Sequence, residues 1–203
     1  MNRILTTAIA ALLLALPQWL LSQNHNPALS DSLTHRTAPE FSFLTCSPGS
    51  IFYELEGHSA LRVITPDGED ITVNWGLFDF DSPNFLYRFV KGETDYVAGA
   101  APTQLFLESY RRQRRSVVEQ KLDLTPDEAS RLLDLIAENL QPANRTYRYN
   151  YVLDNCATRP LRMIEKAIGD TLTLSEPSPT ARFEQPTFRR AMRSYHRNYP
   201  WYQ

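Results

Sequence analysis

The stretch "HSALRVITPDGEDITVNWG", residues 58–76, contains two β-rich runs that are separated by a turn. Branched and aromatic residues, which favour strands, are frequent in both runs. The pair Asp67-Gly68 between them is typical of a tight β-hairpin. Folding the chain about this pair brings Asn74, in the second run, close to His58 at the start of the first. The stretch therefore predicts an antiparallel hairpin that places two polar side chains near each other.

Further strands and helices are predicted on both sides of this hairpin. Strands are expected over residues 41–46 and 116–124, and an extended tyrosine-rich segment is expected over 144–154. Helices are expected over residues 103–115, 125–140, 156–168 and 188–195. This mixture predicts an α+β fold in which helices pack on an antiparallel sheet.

The clearest of these helices is "TPDEASRLLDLIAENL", residues 125–140. Thr125 can cap it, Pro126 suits the first helical position, and Glu128 completes a capping box. One face of this helix carries Leu132, Leu133, Ile136 and Leu140. In the helix over 103–115, the residues expected to face inward are Leu105, Phe106 and Tyr110.

The N-terminal segment, residues 1–23, has the pattern of an export signal. Arg3 is followed by a long apolar run and then by a polar exit, which is typical of a signal peptide. An uncleaved membrane anchor is the competing interpretation, because the run is nearly long enough to span a bilayer. Residues 24–40 are polar and predict a linker, and residues 41–203 are expected to form one domain. Either interpretation places that domain outside the cytoplasm.

The overall charge and the motif content exclude several classes of protein. The chain has 203 residues and a formal net charge of -2, which gives no electrostatic reason to expect nucleic-acid binding. No spacing of histidine, cysteine and carboxylate residues predicts a metal site, and no glycine-rich phosphate loop is present. We therefore expect neither a metal nor a cofactor.

Only two cysteines, Cys46 and Cys156, occur in the chain. In an oxidising compartment, a pair of cysteines can form one disulfide. Cys156 can also be a buried packing residue or a nucleophile. Its place at a predicted helix start, after Asp154 and Asn155 as possible caps, favours the thiolate form. Arg159 adds positive charge nearby.

A nucleophilic thiol needs a base, and His58 is the best candidate. It follows a glycine at the start of a strand, where it can face a thiolate. Asn74 on the partner strand can hold the second ring nitrogen, and Asp79 follows just beyond. The order His58, Asn74, Cys156 reverses the papain order. This reversal occurs in circularly permuted relatives of the NlpC-type and papain-like fold.

Three separated blocks resemble the N-terminal periplasmic domain of the bacterial lipoprotein N-acyltransferase (Lnb) family. They are "TCSPGSIFYELEGHSALRV", "NWGLFDFDSPNFLYRFVKGETDY" and "NRTYRYNYVLDNCATRPLRMI". The resemblance implies a periplasmic, membrane-associated acyltransferase domain over residues 41–203. Its thiol would take a fatty acyl group as a thioester from a phospholipid or a lipoprotein, and would pass it to the N-terminal amine of a lipoprotein.

The same resemblance suggests individual roles. Cys156 would be the acyl-accepting thiol and His58 its base. The backbone N–H of Cys156, with Asn155 as a second donor, would stabilise the oxyanion. Cys46 and Tyr53 fall in the same block as His58, so both are expected beside the site, with Cys46 as an alternative thiol.

The chain departs from the family pattern in two respects. Glu56 stands before Gly57 where an aromatic residue is expected, which changes the wall of the predicted acyl site. Members of the family usually continue into a membrane-spanning helical region beyond the position that corresponds to Gln203.

Two other functions are compatible with the same residues. A cysteine amidase or peptidase that acts on cell-wall peptide could use the same thiol and base, but it would need an open polar groove. A non-catalytic envelope domain would instead use Cys46 and Cys156 as a structural disulfide.

Overall fold

The hairpin predicted from residues 58–76 forms the centre of an antiparallel sheet in the computed structural model. The structure describes residues 37–51, 53–78, 83–91, 93–172 and 187–198. Within them, the strands are β1 (Glu40–Cys46), β2 (His58–Ile64), β3 (Asp70–Leu77), β4 (Asp95–Pro102), β5 (Val117–Lys121) and β6 (Thr146–Arg148). The helices are α1 (Phe85–Val90), α2 (Thr103–Arg112), α3 (Pro126–Asn139), α4 (Thr158–Ile168) and α5 (Phe188–Tyr195).

The register of the hairpin determines which side chains share a face of the sheet. In β2 and β3, Ala60 lies opposite Asn74, and Ile64 lies opposite Asp70 across the turn. The described strands are arranged in the order β5-β1-β2-β3-β4-β6, and neighbouring strands run antiparallel. The predicted α+β class with an antiparallel sheet is therefore confirmed.

Several element boundaries differ from the prediction. β5 is shorter than residues 116–124, and α2 ends at Arg112 rather than at residue 115. The tyrosine-rich segment is extended only over β6, after which the chain turns. α4 begins at Thr158, two residues later than predicted, and ends as expected at Gly169, which has a φ of 73°.

One face of the sheet packs against α3 and α4. Its buried residues are Phe41, Leu61, Val63, Val73, Trp75 and Ala98, and the helices contribute Ala129, Leu132, Ile136, Ile164 and Ala167. The predicted capping box holds the start of α3: Thr125 Oγ1 accepts from the Glu128 N–H, and Glu128 accepts from the Thr125 N–H. This layer anchors α4, the helix that follows Cys156.

The opposite face of the sheet packs against α2, which contacts β3 and β4. The hydroxyls of Thr72 and Thr103 form a buried hydrogen bond of 2.9 Å there. Tyr110 of α2 is buried, whereas Leu105 is exposed. The predicted inward orientation of Leu105 is wrong, because α2 packs through Thr103 and Tyr110.

Among the described residues, no helix combines the length and the hydropathy required to cross a bilayer. The signal or anchor predicted over residues 1–23 lies outside the described part of the chain. β1 begins at Glu40, at the end of the predicted linker.

The two packing environments make Leu132 and Leu105 a matched pair for a stability measurement. Leu132 is fully buried and Leu105 is 62% exposed. We expect Leu132→Ala to lower the free energy of unfolding by about 2–5 kcal/mol, because it leaves a cavity between the helices and the sheet. Leu105→Ala should change it by less than about 0.5 kcal/mol. Urea unfolding of both variants checks this, and equal losses would contradict the packing described.

Candidate active site

The candidate site lies at the end of the sheet where β1 ends and β2 begins. Cys46, the last residue of β1, is paired in register with His58, the first residue of β2. Gly57 enters β2 with a φ of 80°, and a Cβ atom there would lie 2.5 Å from the carbonyl oxygen of Cys46. Only glycine combines this backbone conformation with this close approach. Gly57 thus fixes the backbone position from which the His58 side chain extends.

Asn74 orients the imidazole from the neighbouring strand. His58 Nε2 lies 3.1 Å from Asn74 Oδ1. The Asn74 amide nitrogen donates to the Thr72 carbonyl at 3.4 Å, so its oxygen is the atom that faces the ring. Nε2 must then be the protonated ring nitrogen that donates, which leaves Nδ1 as the acceptor. The sequence-predicted pair is therefore in contact in the structure.

Cys156 lies in the connection between β6 and α4, just before the helix. Asn155 Oδ1 accepts hydrogen bonds of 2.9 Å from the N–H groups of both Ala157 and Thr158. Its amide nitrogen donates to the Tyr151 carbonyl at 2.9 Å. Asn155 therefore caps α4 with its side chain, and Cys156 precedes the helix instead of occupying its first turn.

Asp154 and Arg159 also stabilise this connection. The Arg159 guanidinium donates to both carboxylate oxygens of Asp154, at 2.7 and 2.8 Å. The same guanidinium stacks over the ring of Tyr147, 3.5 Å from its centroid. Both residues were predicted as supporting residues for the thiol, and the structure places them in a clamp at the start of α4.

The surroundings of Cys156 stabilise its thiolate. Burial raises the pKa of the Cys156 thiol, but hydrogen bonding and charge interaction with His58 lower it more. Hydrogen bonds from the Ser59 backbone N–H and from Tyr149 lower it further, so the net pKa lies below the ordinary value. Burial lowers the pKa of His58, while its hydrogen bond and charge interaction with Cys156 raise it to above its ordinary value. Both shifts favour a thiolate–imidazolium pair.

Cys46 is close to the same site but has a different environment. Both cysteines are free thiols. Burial raises the pKa of Cys46 to about 11, although a hydrogen bond with Tyr110 and the charge of Arg115 oppose this. Cys46 is therefore a protonated thiol at neutral pH, in contrast to Cys156.

A cavity of about 280 Å³ opens beside the thiol of Cys156. Its lining includes His58 and both cysteines, together with a set of large apolar or aromatic side chains: Tyr53, Trp75, Phe78, Tyr96, Tyr149, Tyr151 and Met192. A second cavity, of about 360 Å³, lies on the Asn74 side of His58, and Tyr53 lines both. Within the described residues, no cluster of histidine, cysteine, aspartate and glutamate is arranged to bind a metal.

Two contacts at the site were not predicted from the sequence. The Tyr149 hydroxyl lies 3.9 Å from Cys156 Sγ. Glu56, which was expected in the wall of the site and lies there, forms a 3.1 Å contact with Nε2 of the buried His196. This contact holds the end of α5 beside the site, so that Met192 reaches the cavity. Asp79, which was predicted near the site, lies outside the described residues.

The opposite environments of the two thiols predict selective alkylation. We expect iodoacetamide to modify Cys156 with a pH midpoint below that of an ordinary thiol, about 8.5, because the rate follows the thiolate fraction. His58→Ala should raise the midpoint, because burial still raises the pKa of the Cys156 thiol while the imidazole no longer lowers it. Mass spectrometry across a pH series measures both values. Cys46→Ala is the control and should leave the midpoint unchanged, and an unchanged midpoint in His58→Ala would contradict the pairing.

A comparison with protein families identifies a match over most of the chain. The sequence model described as the Lnb N-terminal periplasmic domain matches residues 34–193. Searches of curated proteins and of solved structures gave no significant match. The family match spans most of the chain and includes the described strands, α1 to α4 and most of α5, together with the thiol site. The chain therefore belongs to the Lnb N-terminal periplasmic domain family.

Proposed function

We propose that this domain is a periplasmic thiol-dependent acyltransferase with a circularly permuted papain-like arrangement. The observation that carries the proposal is the presence of Cys156 and His58 in the wall of one partly aromatic cavity, with Asn74 bound to the imidazole of His58. A base held by an amide, facing a thiol of lowered pKa, is the arrangement that nucleophilic cysteine catalysis requires.

The first half-reaction forms a thioester. The Cys156 thiolate attacks the ester carbonyl carbon of a phospholipid or lipoprotein acyl group, so that an S–C bond forms and the ester C–O bond breaks. The His58 imidazolium gives its proton to the departing oxygen. In the second half-reaction, the N-terminal amine of a lipoprotein attacks the thioester, His58 accepts the amine proton, and the thiolate is restored.

The cavity has an aromatic side that can hold an acyl chain. Six aromatic side chains and Met192 contribute to its wall and offer apolar surface to a hydrocarbon, while polar residues such as Glu56, Ser59 and Asn155 line the rest. Its volume suits the reacting end of a chain better than a whole diacyl lipid. The Cys156 N–H is the backbone donor for the oxyanion, whereas the Asn155 amide already caps α4.

A labelled-lipid assay tests this function. We expect wild-type protein to retain label from a fatty-acyl phospholipid and to release it with neutral hydroxylamine, which cleaves thioesters. Cys156→Ala should retain none, because it lacks the accepting atom, and Cys46→Ala should label as wild type. Acylation that survives in Cys156→Ala would refute the proposal. Cleavage of a cell-wall peptide without lipid labelling would instead support the amidase alternative.

The acyl donor resides in a membrane, and apolar side chains are exposed next to the cavity. Val152 and Leu153 follow Tyr151 of the cavity wall and are both exposed. Their N–H groups are bound to Asn150 Oδ1 at 3.0 and 2.9 Å, which shapes this loop. We propose that this apolar loop contacts the bilayer from which the donor comes.

α5 provides a second exposed element beside the cavity. Phe188 and Tyr195 are exposed on the helix whose Met192 lines the cavity wall. Arg189 and Arg193 of this helix are exposed as well. Exposed aromatic and cationic side chains on one short helix suit the interface of an anionic bilayer.

Tryptophan reporters test the bilayer contact independently of catalysis. Leu153 and Leu105 are equally exposed, at 63% and 62%, but only Leu153 belongs to the apolar loop. We expect vesicles of brominated phosphatidylglycerol to quench the added fluorescence of Leu153→Trp, because bromine quenches only within the bilayer. Leu105→Trp, measured against the wild-type background in the same way, should show no added quenching. Equal quenching at both positions would contradict the proposed contact.

A further inference from the structure

Tyr149 lies next to the reacting sulfur, but neither of the two proposed half-reactions involves it. It follows β6, and its hydroxyl lies 3.9 Å from Cys156 Sγ, within reach of a weak O–H···S hydrogen bond. An acyl carbon bonded to that sulfur would bring its carbonyl oxygen closer to the hydroxyl than the sulfur itself is, if the oxygen turns toward Tyr149.

The ring of Tyr149 is held by three neighbours. It stacks on Tyr96 with a centroid distance of 4.3 Å, and Tyr151 packs edge-on at 5.3 Å. Gly76 forms the third side, with a φ of 104°, and a Cβ atom there would lie 3.5 Å from the Tyr149 ring. The bulge between β3 and β4 at this glycine brings bare backbone against the ring. The hydroxyl is therefore positioned before substrate arrives, as electrostatic preorganisation requires.

The oxyanion donors expected from the sequence leave the place of a second donor open. Oxyanion sites commonly use two hydrogen-bond donors, and the loss of either slows the reaction. Asn155, the predicted second donor, directs its amide nitrogen to the Tyr151 carbonyl and its oxygen to the start of α4. Its side chain is thus committed to the connection before the helix, so that of the two oxyanion donors expected from the sequence only the Cys156 N–H remains a candidate.

We propose that Tyr149 is a catalytic residue that supplies the second oxyanion donor, an inference that rests on the proposed thiol acylation. As the S–C bond forms, the carbonyl π electrons move onto oxygen, and the Tyr149 O–H donates a hydrogen bond to that oxygen while keeping its proton. When the intermediate collapses, the C=O bond re-forms and the ester C–O bond breaks.

The electrostatic state of Tyr149 suits a donor. Burial and the charge of Cys156 raise the pKa of its hydroxyl above its ordinary value. The hydroxyl therefore stays protonated through the neutral range. Before substrate binds, it donates to the thiolate, which agrees with the lowered pKa of Cys156.

The chain contains a matched control for Tyr149. Tyr147 is two residues earlier, its ring packs near that of Tyr149 at a centroid distance of 6.3 Å, and it is also largely buried. Among the described residues its hydroxyl is buried with no hydrogen-bond partner. Tyr147→Phe therefore removes an equivalent hydroxyl from the same cluster of tyrosines, but one that does not contact the Cys156 thiol.

Acylation by a p-nitrophenyl ester and alkylation by iodoacetamide separate the possible roles. Only acylation passes through an oxyanion, whereas both reactions need the thiolate. We expect Tyr149→Phe to slow the nitrophenol burst about 100-fold, to raise the alkylation midpoint slightly, and to leave the alkylation rate at high pH unchanged. Tyr147→Phe should match wild type in both reactions.

Two outcomes would overturn the inference. Tyr149→Phe could react with the ester at the wild-type rate, or it could lose ester acylation and high-pH alkylation to the same extent, which indicates a packing role. The ester probe also separates this inference from the lipid proposal. If wild type reacts with the ester through Cys156 but not with lipid, the lipid function fails while the role of Tyr149 stands.

Discussion

The hydrogen bond between His58 and Asn74 links the folding of the hairpin to the chemistry of the site. It exists in one register only, because a slip by one residue would move Asn74 to the opposite face of the sheet. The turn at Asp67-Gly68, where Gly68 has a φ of 91°, sets that register. Burial of Trp75 on the other face of β3 then stabilises it. The orientation of the imidazole is thus a consequence of core packing.

Much of the fold could be predicted because its signals are local. The capping box at Thr125 and Glu128 and the Asp-Gly turn act through neighbours in the sequence, and both form in the structure. The contact between His58 and Asn74 could be predicted from the turn, and the burial of Trp75 stabilises the register in which it forms. Leu105 was wrongly predicted to face inward, because the hydrophobicity of a residue does not show which face of α2 packs against the sheet. That face is determined by Thr103, whose hydroxyl binds β3.

The rest of the site depends on how distant segments pack. Tyr149 meets the thiol because β6 joins the edge of β4 and the chain then turns back toward α4. The contact between Glu56 and His196 joins residues from opposite ends of the domain, and no local pattern carries it. Asn155 directly precedes Cys156 in the sequence, but this position does not state whether its amide serves the helix or an oxyanion. Only the hydrogen bonds of the folded chain decide between them.

The two cysteines show that the pKa of a thiol here depends on the tertiary structure. Both line the same cavity, and burial raises the pKa of each thiol. For Cys46, the partner is the hydroxyl of Tyr110, whose own pKa burial also raises, and the thiol stays protonated. For Cys156, the partner is a base that can carry positive charge. The burial of Ile164 and Ala167 anchors α4, the helix that follows Cys156, so the packing of this helix helps to fix the position of the thiol whose pKa is lowered.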